Sequence, residues 1–269
     1  MSRRTGFTLI ELLVVIAVIG ILLGILVPTL SRARTKARGV VCQARVKDLL
    51  TAYTLYAGDN DAGLVSGNTS NEVKPGEPST YCWVKPPQYE DGTVLPDPQP
   101  PTLDQEVRGI QRGHLYPYVN VLKTYHCDAS QKGQMYGGYR SYSIPGLMNG
   151  EYAKPVSKAG YADLVATKLT HIKRPETKLV FLEDTDTRGW NMGSWVMDLS
   201  GTAWVDPFAI WHGDRSSLGF ADGHADPRRW VSKSTRIMCD EQLWGVNPDS
   251  YDGDRQDIEF MYKAFMPRR

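Results

Sequence analysis

The chain predicts an α+β protein: one long N-terminal helix, half of it apolar enough for a membrane, packed on a mainly antiparallel β head. Three observations predict it. Phe7 to Leu30 is a run of 24 residues whose only charge is Glu11. Apolar residues at helical spacing continue beyond that run to Tyr56. Later, short apolar segments alternate with turn residues, and Asp222-Gly223 stands between two strand-like runs, a strong hairpin cue.

The run from Phe7 makes a helix of about 36 Å, enough to cross roughly 30 Å of hydrocarbon with some tilt. The short leader Met1–Gly6 carries Arg3 and Arg4. A secretory signal puts its small-residue cleavage site after the apolar stretch, but no Ala-x-Ala pattern follows Leu30, and the small residue Gly6 precedes the stretch. A cut after Gly6 leaves the whole helix on the chain with Phe7 first. A charge at mid-membrane costs on the order of 3 kcal/mol, and a position near one end lowers that cost by snorkelling. Glu11 therefore has two readings: a tolerated acid on an ordinary anchor, or the partner of a cation inside an assembly, the candidate being a new amino group at Phe7 of a neighbouring copy. Gly20, Gly24 and Pro28 recur every fourth residue on one face. Gly20-x-x-x-Gly24 suits close helix packing, and Pro28 removes one backbone donor and can kink the helix; Gly and Pro are also simply frequent in membrane helices.

Past Pro28, Ala33, Ala37, Val40, Val41, Ala44, Leu49, Leu50, Tyr53 and Tyr56 recur at helix spacing. The expectation is one rod of about 75 Å, with an assembly or transmembrane part over 7–30 and an amphipathic part over 31–57. Gly58-Asp59-Asn60-Asp61 is a stop signal. The head, 58–269, opens with a Gly/Pro/Ser/Asn-rich stretch to Pro101, with Tyr81-Cys82-Trp83-Val84 a short strand candidate inside it. Gly113–Val119 reads as an ordered strand or turn. Lys178–Glu183 and Ser194–Met197 read as strands, followed by the hairpin near 212–226.

Net charge is +1, and removing Arg3 and Arg4 with the leader brings it to −1, so nothing indicates a nucleic-acid footprint. No Gly-x-Ser-x-Gly, His-Glu-x-x-His or phosphate-cradling loop is present, and nothing positive supports catalysis. The seven tryptophans suit core and subunit interfaces, and a sugar-binding face stays open. The four cysteines, Cys42, Cys82, Cys127 and Cys239, contain no Cys-x-x-Cys pair. For an exported head the expected disulfide joins Cys82 and Cys127, both in loop-rich sequence, with Cys42 free in the stalk.

Gly6-Phe7-Thr8-Leu9-Ile10-Glu11 resembles the processing site of type IV prepilins and type II secretion pseudopilins. The resemblance implies cleavage between Gly6 and Phe7 by a prepilin peptidase and N-methylation of Phe7. It implies that Glu11 neutralises a neighbour's N-terminus as a helical filament grows, alone or with related pilins, on an assembly ATPase and platform. It places the chain in the inner membrane before assembly, head outside the cytoplasm, and then in a periplasmic pseudopilus or extracellular filament. The charge bias points the other way, since Arg32, Arg34, Lys36 and Arg38 follow the run. Long downstream domains translocate largely regardless of charge, so the topology implied by the resemblance is the expectation here.

Nine residues separate His212 from Asp222-Gly223, and His224 follows at once. This is similar to the H-X9-DG signature of a large group of prepilin-like proteins. Tyr56-Ala57-Gly58-Asp59-Asn60, Tyr125-His126-Cys127-Asp128, Ser141-Tyr142-Ser143 with Asn149-Gly150, and Ile172-Lys173-Arg174-Pro175 resemble other parts of that group. His126-Cys127-Asp128-Ala129 departs from it in lacking a proline after the cysteine. His212, Asp222 and His224 include metal-competent groups, but the expected role is structural: His212 bonds a backbone group or Asp222 and fixes the hairpin. Asp249, Asp252, Asp254, Asp257 and Glu259 form an acidic, Gly-containing loop of the kind calcium uses, and some pseudopilins hold a C-terminal loop with calcium. The spacing is not that of an EF-hand, and a solvated acidic turn is the plainer reading; Glu183-Asp184-Thr185-Asp186 has the same two readings. The alternative to a filament subunit is a membrane-anchored, non-polymerising domain that binds a ligand or metal through these groups.

Overall fold

A computed structural model gives the protein's structure and describes residues 9–69, 81–95, 101–130, 139–153, 161, 163–184 and 193–269. The processing site at Gly6 and Phe7 lies outside the described residues. Helix α1 runs unbroken over Leu9–Asp59, 51 residues, with Glu11 in its first turn and Pro28 inside it. It ends at the predicted stop.

Of the expected stripe, Leu49, Leu50, Tyr53 and Tyr56 are buried, while its first part, up to Ala44, faces outward. Val40 is 66 % exposed and Val41 44 %, and Ala33, Ala37 and Ala44 are also exposed. The buried stripe is Cys42, Val46, Leu49, Leu50, Ala52, Tyr53, Tyr56 and Ala57, which keeps the three-and-four spacing of one helix face.

Beneath that stripe lies a four-stranded sheet of β1 (Tyr142–Ser143), β2 (Leu179–Glu183), β3 (Arg215–Phe220) and β4 (Ala225–Arg229), ordered β1-β2-β3-β4. Every pairing is antiparallel, and a register shift falls between Leu179 and Phe181. All five residues of β2 are buried, because this inner strand is covered on both faces; the edge strand β4 is exposed or half-buried throughout. On the α1 face, Val180 and Phe181 join the helix stripe, Trp83, Tyr125 and Tyr142. Tyr53 meets Phe181 edge to face, centroids 6.0 Å apart. On the opposite face Leu182, Leu218 and Phe220 pack with Trp195, Trp204, Phe208 and Trp230.

The second face is closed by two short helices, α3 (Lys233–Glu241) and α4 (Gln256–Phe265), while α2 (Leu103–Gln111) precedes the sheet. The sequence reading missed all three. Helix α2 begins with a capping box in which Thr102 and Gln105 satisfy each other's backbone N–H groups. Ile258, Met261 and Phe265 of α4 face the tryptophan cluster. The expected strands at 81–84 and 194–197 are isolated bridges only: Cys82 pairs with Ser66, Trp195 with Pro145 and Met197 with Trp204. Residues 113–119 are turns.

The hairpin stands where the sequence placed it. Gly223 donates to Phe220 O, and Phe220 N donates to His224 O, each at 2.9 Å. Gly223 has φ of +94°, a conformation glycine adopts without strain. The loop is thus the three residues Ala221–Gly223.

Gly219 is where α1 comes closest to the sheet. A Cβ there would stand 2.6 Å from Val46 Cγ1 and 3.0 Å from Leu50 Cδ1. Gly219→Ala is expected to push the helix off β3 and cost roughly 1–3 kcal/mol. Denaturant unfolding of the detergent-solubilised chain checks this, and an unchanged midpoint would refute the close fit.

Candidate functional site

Two features stand out, one on the surface and one buried. The surface feature is the first half of α1. An 18-residue window of the helix reaches a mean hydropathy of 3.1 with none of it buried in the molecule. Sixteen large apolar side chains between Leu9 and Leu30 are exposed, from Leu30 at 45 % to Leu9 at 79 %. At about 25 cal/mol per Å² such a surface is strongly unfavourable in water, so lipid or another protein must cover it. Cβ atoms added at Gly20 or Gly24 would meet nothing within 4 Å. Among the described residues no contact thus requires glycine at either position, and their open face admits a second helix. Glu11 sits in the exposed first turn, where a carboxylate also suits the positive end of the helix dipole.

The buried feature joins four elements where α1 enters the head. Cys42 projects from α1, Cys127 follows the 3-10 turn Leu122–Tyr125, Glu183 closes β2, and His212 precedes β3. Their sulfur, nitrogen and oxygen atoms all lie within 4.8 Å of one another. His212 Nε2 is 2.8 Å from Glu183 Oε1 and 3.5 Å from Cys127 Sγ, and Cys42 Sγ is 2.8 Å from Cys127 Sγ. The second Glu183 oxygen accepts the Ser217 N–H at 3.0 Å, and Ser141 Oγ accepts the Cys127 N–H. Gly39 makes room for the imidazole: a Cβ there would lie 3.3 Å from His212 Cγ.

Burial pushes the Glu183 carboxyl up, and its bond to His212 pushes it back. For His212 burial works against protonation, but the contacts with Cys42 and Glu183 prevail and raise it to about 10. The side-chain contact with Cys127, against burial and with help from His212, pulls the Cys42 thiol down to about 5. Cys127, pressed against the Cys42 sulfur and itself buried, is pushed up. The cluster sets the imidazole between a carboxyl group and a pair of sulfurs.

This geometry corrects three expectations. Cys127 faces Cys42, not Cys82, and all four cysteines are thiols in the structure. The partner of His212 is Glu183, not Asp222, and its backbone N–H goes to Arg215 O at 3.2 Å. Glu183 is fully buried rather than part of a solvated acidic turn, and Asp184, also buried, accepts from Ser143 Oγ at 2.6 Å. The structural role expected of His212 fits what is seen, with a different partner. Asp222 instead pairs with His224, Oδ1 to Nδ1 2.6 Å, and the His224 ring stacks on Phe220 with centroids 4.5 Å apart.

The acidic residues near the C-terminus are turned to separate tasks. Asp249 pairs with Arg255 at 3.0 Å. Asp252 accepts from Lys233 N at 3.2 Å and Asp254 from Gln256 N at 3.0 Å. Asp257, wholly buried, accepts the N–H groups of Val231 and Ser232, both at 2.8 Å, and so ties α4 to the start of α3. Among the described residues these carboxylates do not converge on one point.

His212→Ala leaves Glu183 buried without its cation and is expected to cost roughly 3–5 kcal/mol. Glu183→Leu in the same chain should restore most of that loss. Denaturant midpoints of the parent, single and double variants check this; a single variant as stable as the parent would rule out a stabilising pair.

Residues 1–27 match the family described as the prokaryotic N-terminal methylation motif. The type IV wide pilus major component PilA4 of Thermus thermophilus is 34 % identical over 107 residues, 35 % of this chain and 80 % of that protein. The type II secretion system core protein G of Pseudomonas aeruginosa is 38 % identical over 90 residues, 32 % of this chain and 63 % of that protein. No solved structure matches the chain.

Proposed function

Because this chain belongs to the family of type IV pilins and type II secretion pseudopilins, we propose that it is a structural filament subunit, processed between Gly6 and Phe7 and assembled through α1. One observation carries the reading: an apolar helix surface with no cover of its own continues, without a break, into a helix locked in the head. The same rod is satisfied by lipid in the membrane and by sister rods in a filament. Moving from one to the other exchanges one apolar environment for another, so the hydrophobic term changes little and packing and polar contacts decide.

Glu11 supplies the polar contact. In a bilayer its carboxylate costs free energy. Beside the free, methylated amino group of a neighbour's Phe7 it gains a charge-assisted bond in a low-dielectric setting. That difference favours the filament and sets the stagger between copies. Gly20 and Gly24 let neighbouring helices approach closely. The processing implies a prepilin peptidase, and extraction from the membrane implies an assembly ATPase and platform. The head then lies outside the cytoplasm, in a periplasmic pseudopilus or an extracellular pilus. The names of the two relatives, a pilus major component and a secretion system core protein, accord with either destination.

Glu11→Ala is expected to leave membrane insertion intact while lowering sheared filament by about tenfold or more, the equivalent of at least about 1.4 kcal/mol per contact. Quantifying chain in membrane and sheared fractions tests this. Normal filament yield from the variant would overturn the role given to Glu11, and a parent chain that is never found in filaments would favour a non-polymerising anchor.

A further inference from the structure

We propose that Cys42 and Cys127 become a disulfide that pins α1 to the head at the point where the helix leaves the core. The two residues are 85 positions apart, and their sulfurs lie 2.8 Å from each other. Both side chains are buried, at 1 % and 0 % exposure. Two sulfurs this close are inside van der Waals contact and already face each other.

The position gives the bond its consequence. Cys42 is the first buried residue of α1. Every described residue before it is exposed or half-buried, and the stripe that holds the helix to the sheet starts there and runs to Ala57. Tension on the apolar half of α1 therefore peels the helix from Cys42 inward. A covalent bond at that residue passes the load directly to the 122–127 segment.

The same four groups could be read as a metal site, but the distances decide against it. Tetrahedral zinc, with Zn–S near 2.3 Å, holds two sulfurs about 3.8 Å apart, whereas these are 2.8 Å apart. A metal would also have to break the direct bond between His212 Nε2 and Glu183 Oε1. A disulfide leaves the contact between His212 and Glu183 intact and is itself uncharged, so it adds no charge to the buried cluster.

The chemistry is thiol–disulfide exchange with a donor disulfide, small or protein-borne. The Cys42 thiolate attacks one donor sulfur and releases the first donor thiol. Cys127, on losing its proton to solvent, attacks the mixed disulfide at the Cys42 sulfur and expels the second. Two thiols of this chain become one disulfide, and one donor disulfide becomes two thiols. Because both sulfurs end buried, exchange takes place as the head folds. Cys82 and Cys239 are left out: both are buried, and the Cys127 sulfur faces Cys42 rather than either of them.

In the cell this inference rests on the head lying outside the cytoplasm, where donor disulfides persist; the test separates the two. Full-length chain is isolated from membranes, alkylated under denaturing, non-reducing conditions and mapped by mass spectrometry. In parallel, reduced chain is returned from denaturant into detergent with a glutathione redox buffer and mapped in the same way, an arm independent of export. The expected result is a Cys42 peptide linked to a Cys127 peptide, with Cys82 and Cys239 alkylated. Reduction should lower the melting temperature by about 10 °C, a shift absent from the Cys42→Ser/Cys127→Ser variant. Alkylation of both Cys42 and Cys127 in the glutathione-treated chain overturns the inference, as does a Cys82–Cys127 link or a stoichiometric zinc ion released by thiol modification. Should that arm fail to refold, the membrane-derived map decides alone. Protease accessibility of the head in intact cells reports separately on export; a cytoplasmic head would count against the proposed function while the redox-buffer arm still decides the disulfide.

Discussion

Helix α1 carries two incompatible surfaces on one rigid axis. Its 51 residues include no loop that could let the apolar half fold back on the head, and at 1.5 Å per residue the rod is about 75 Å long. From Leu9 to Leu30 it needs an apolar solvent; from Cys42 to Ala57 it is the core of a water-facing domain. The molecule therefore has to keep one end of the helix in lipid or among sister helices and the other end in its own head. The membrane anchoring of the chain and the assembly proposed for it both rest on that division.

The head is arranged to hold its half of the rod. Strand β2, buried on both faces, presents Val180 and Phe181 to α1, and the absence of a side chain at Gly219 lets Val46 and Leu50 settle directly on β3. Behind the sheet the tryptophan cluster, α3 and α4 give it a second covered face, and Asp257 locks those helices together. Near the point of entry, Gly39 admits the His212 ring, and Glu183 and the two sulfurs complete a polar knot inside an otherwise apolar seam. A buried ion pair of this kind contributes little to stability by itself. Its effect is to fix one register of helix, β2 and the loop before β3, since any slip leaves Glu183 or His212 unpaired in the core.

Much of this was legible in the amino-acid sequence, and the failures have physical causes. The rod was legible because 24 nearly uncharged residues can be little else than a membrane-length helix, and the hairpin because Asp222-Gly223 selects a tight turn. The packed face of α1 was legible from Leu49 to Tyr56 but misplaced at Val40 and Val41, since periodicity detects a stripe without saying what covers it; Gly39, near the point of entry, adds no hydrophobic signal. Helix α2 had a readable cue in Thr102 and Gln105 that was overlooked. The partners of Cys127 and His212 were not readable. Cys42 and Glu183 lie 85 and 29 residues away from them, and nothing local in a strand ending Leu-Glu tells a buried acid from a solvated one.

The most direct test of the two-environment rod is photo-crosslinking from single sites on its apolar half, such as Leu13 and Leu22, both more than half exposed in the isolated chain. The account predicts adducts to lipid when the chain is in membranes and adducts to the helix of a sister chain when it is in sheared filaments. Filaments in which those sites couple only to solvent, or to the chain's own head, would contradict it.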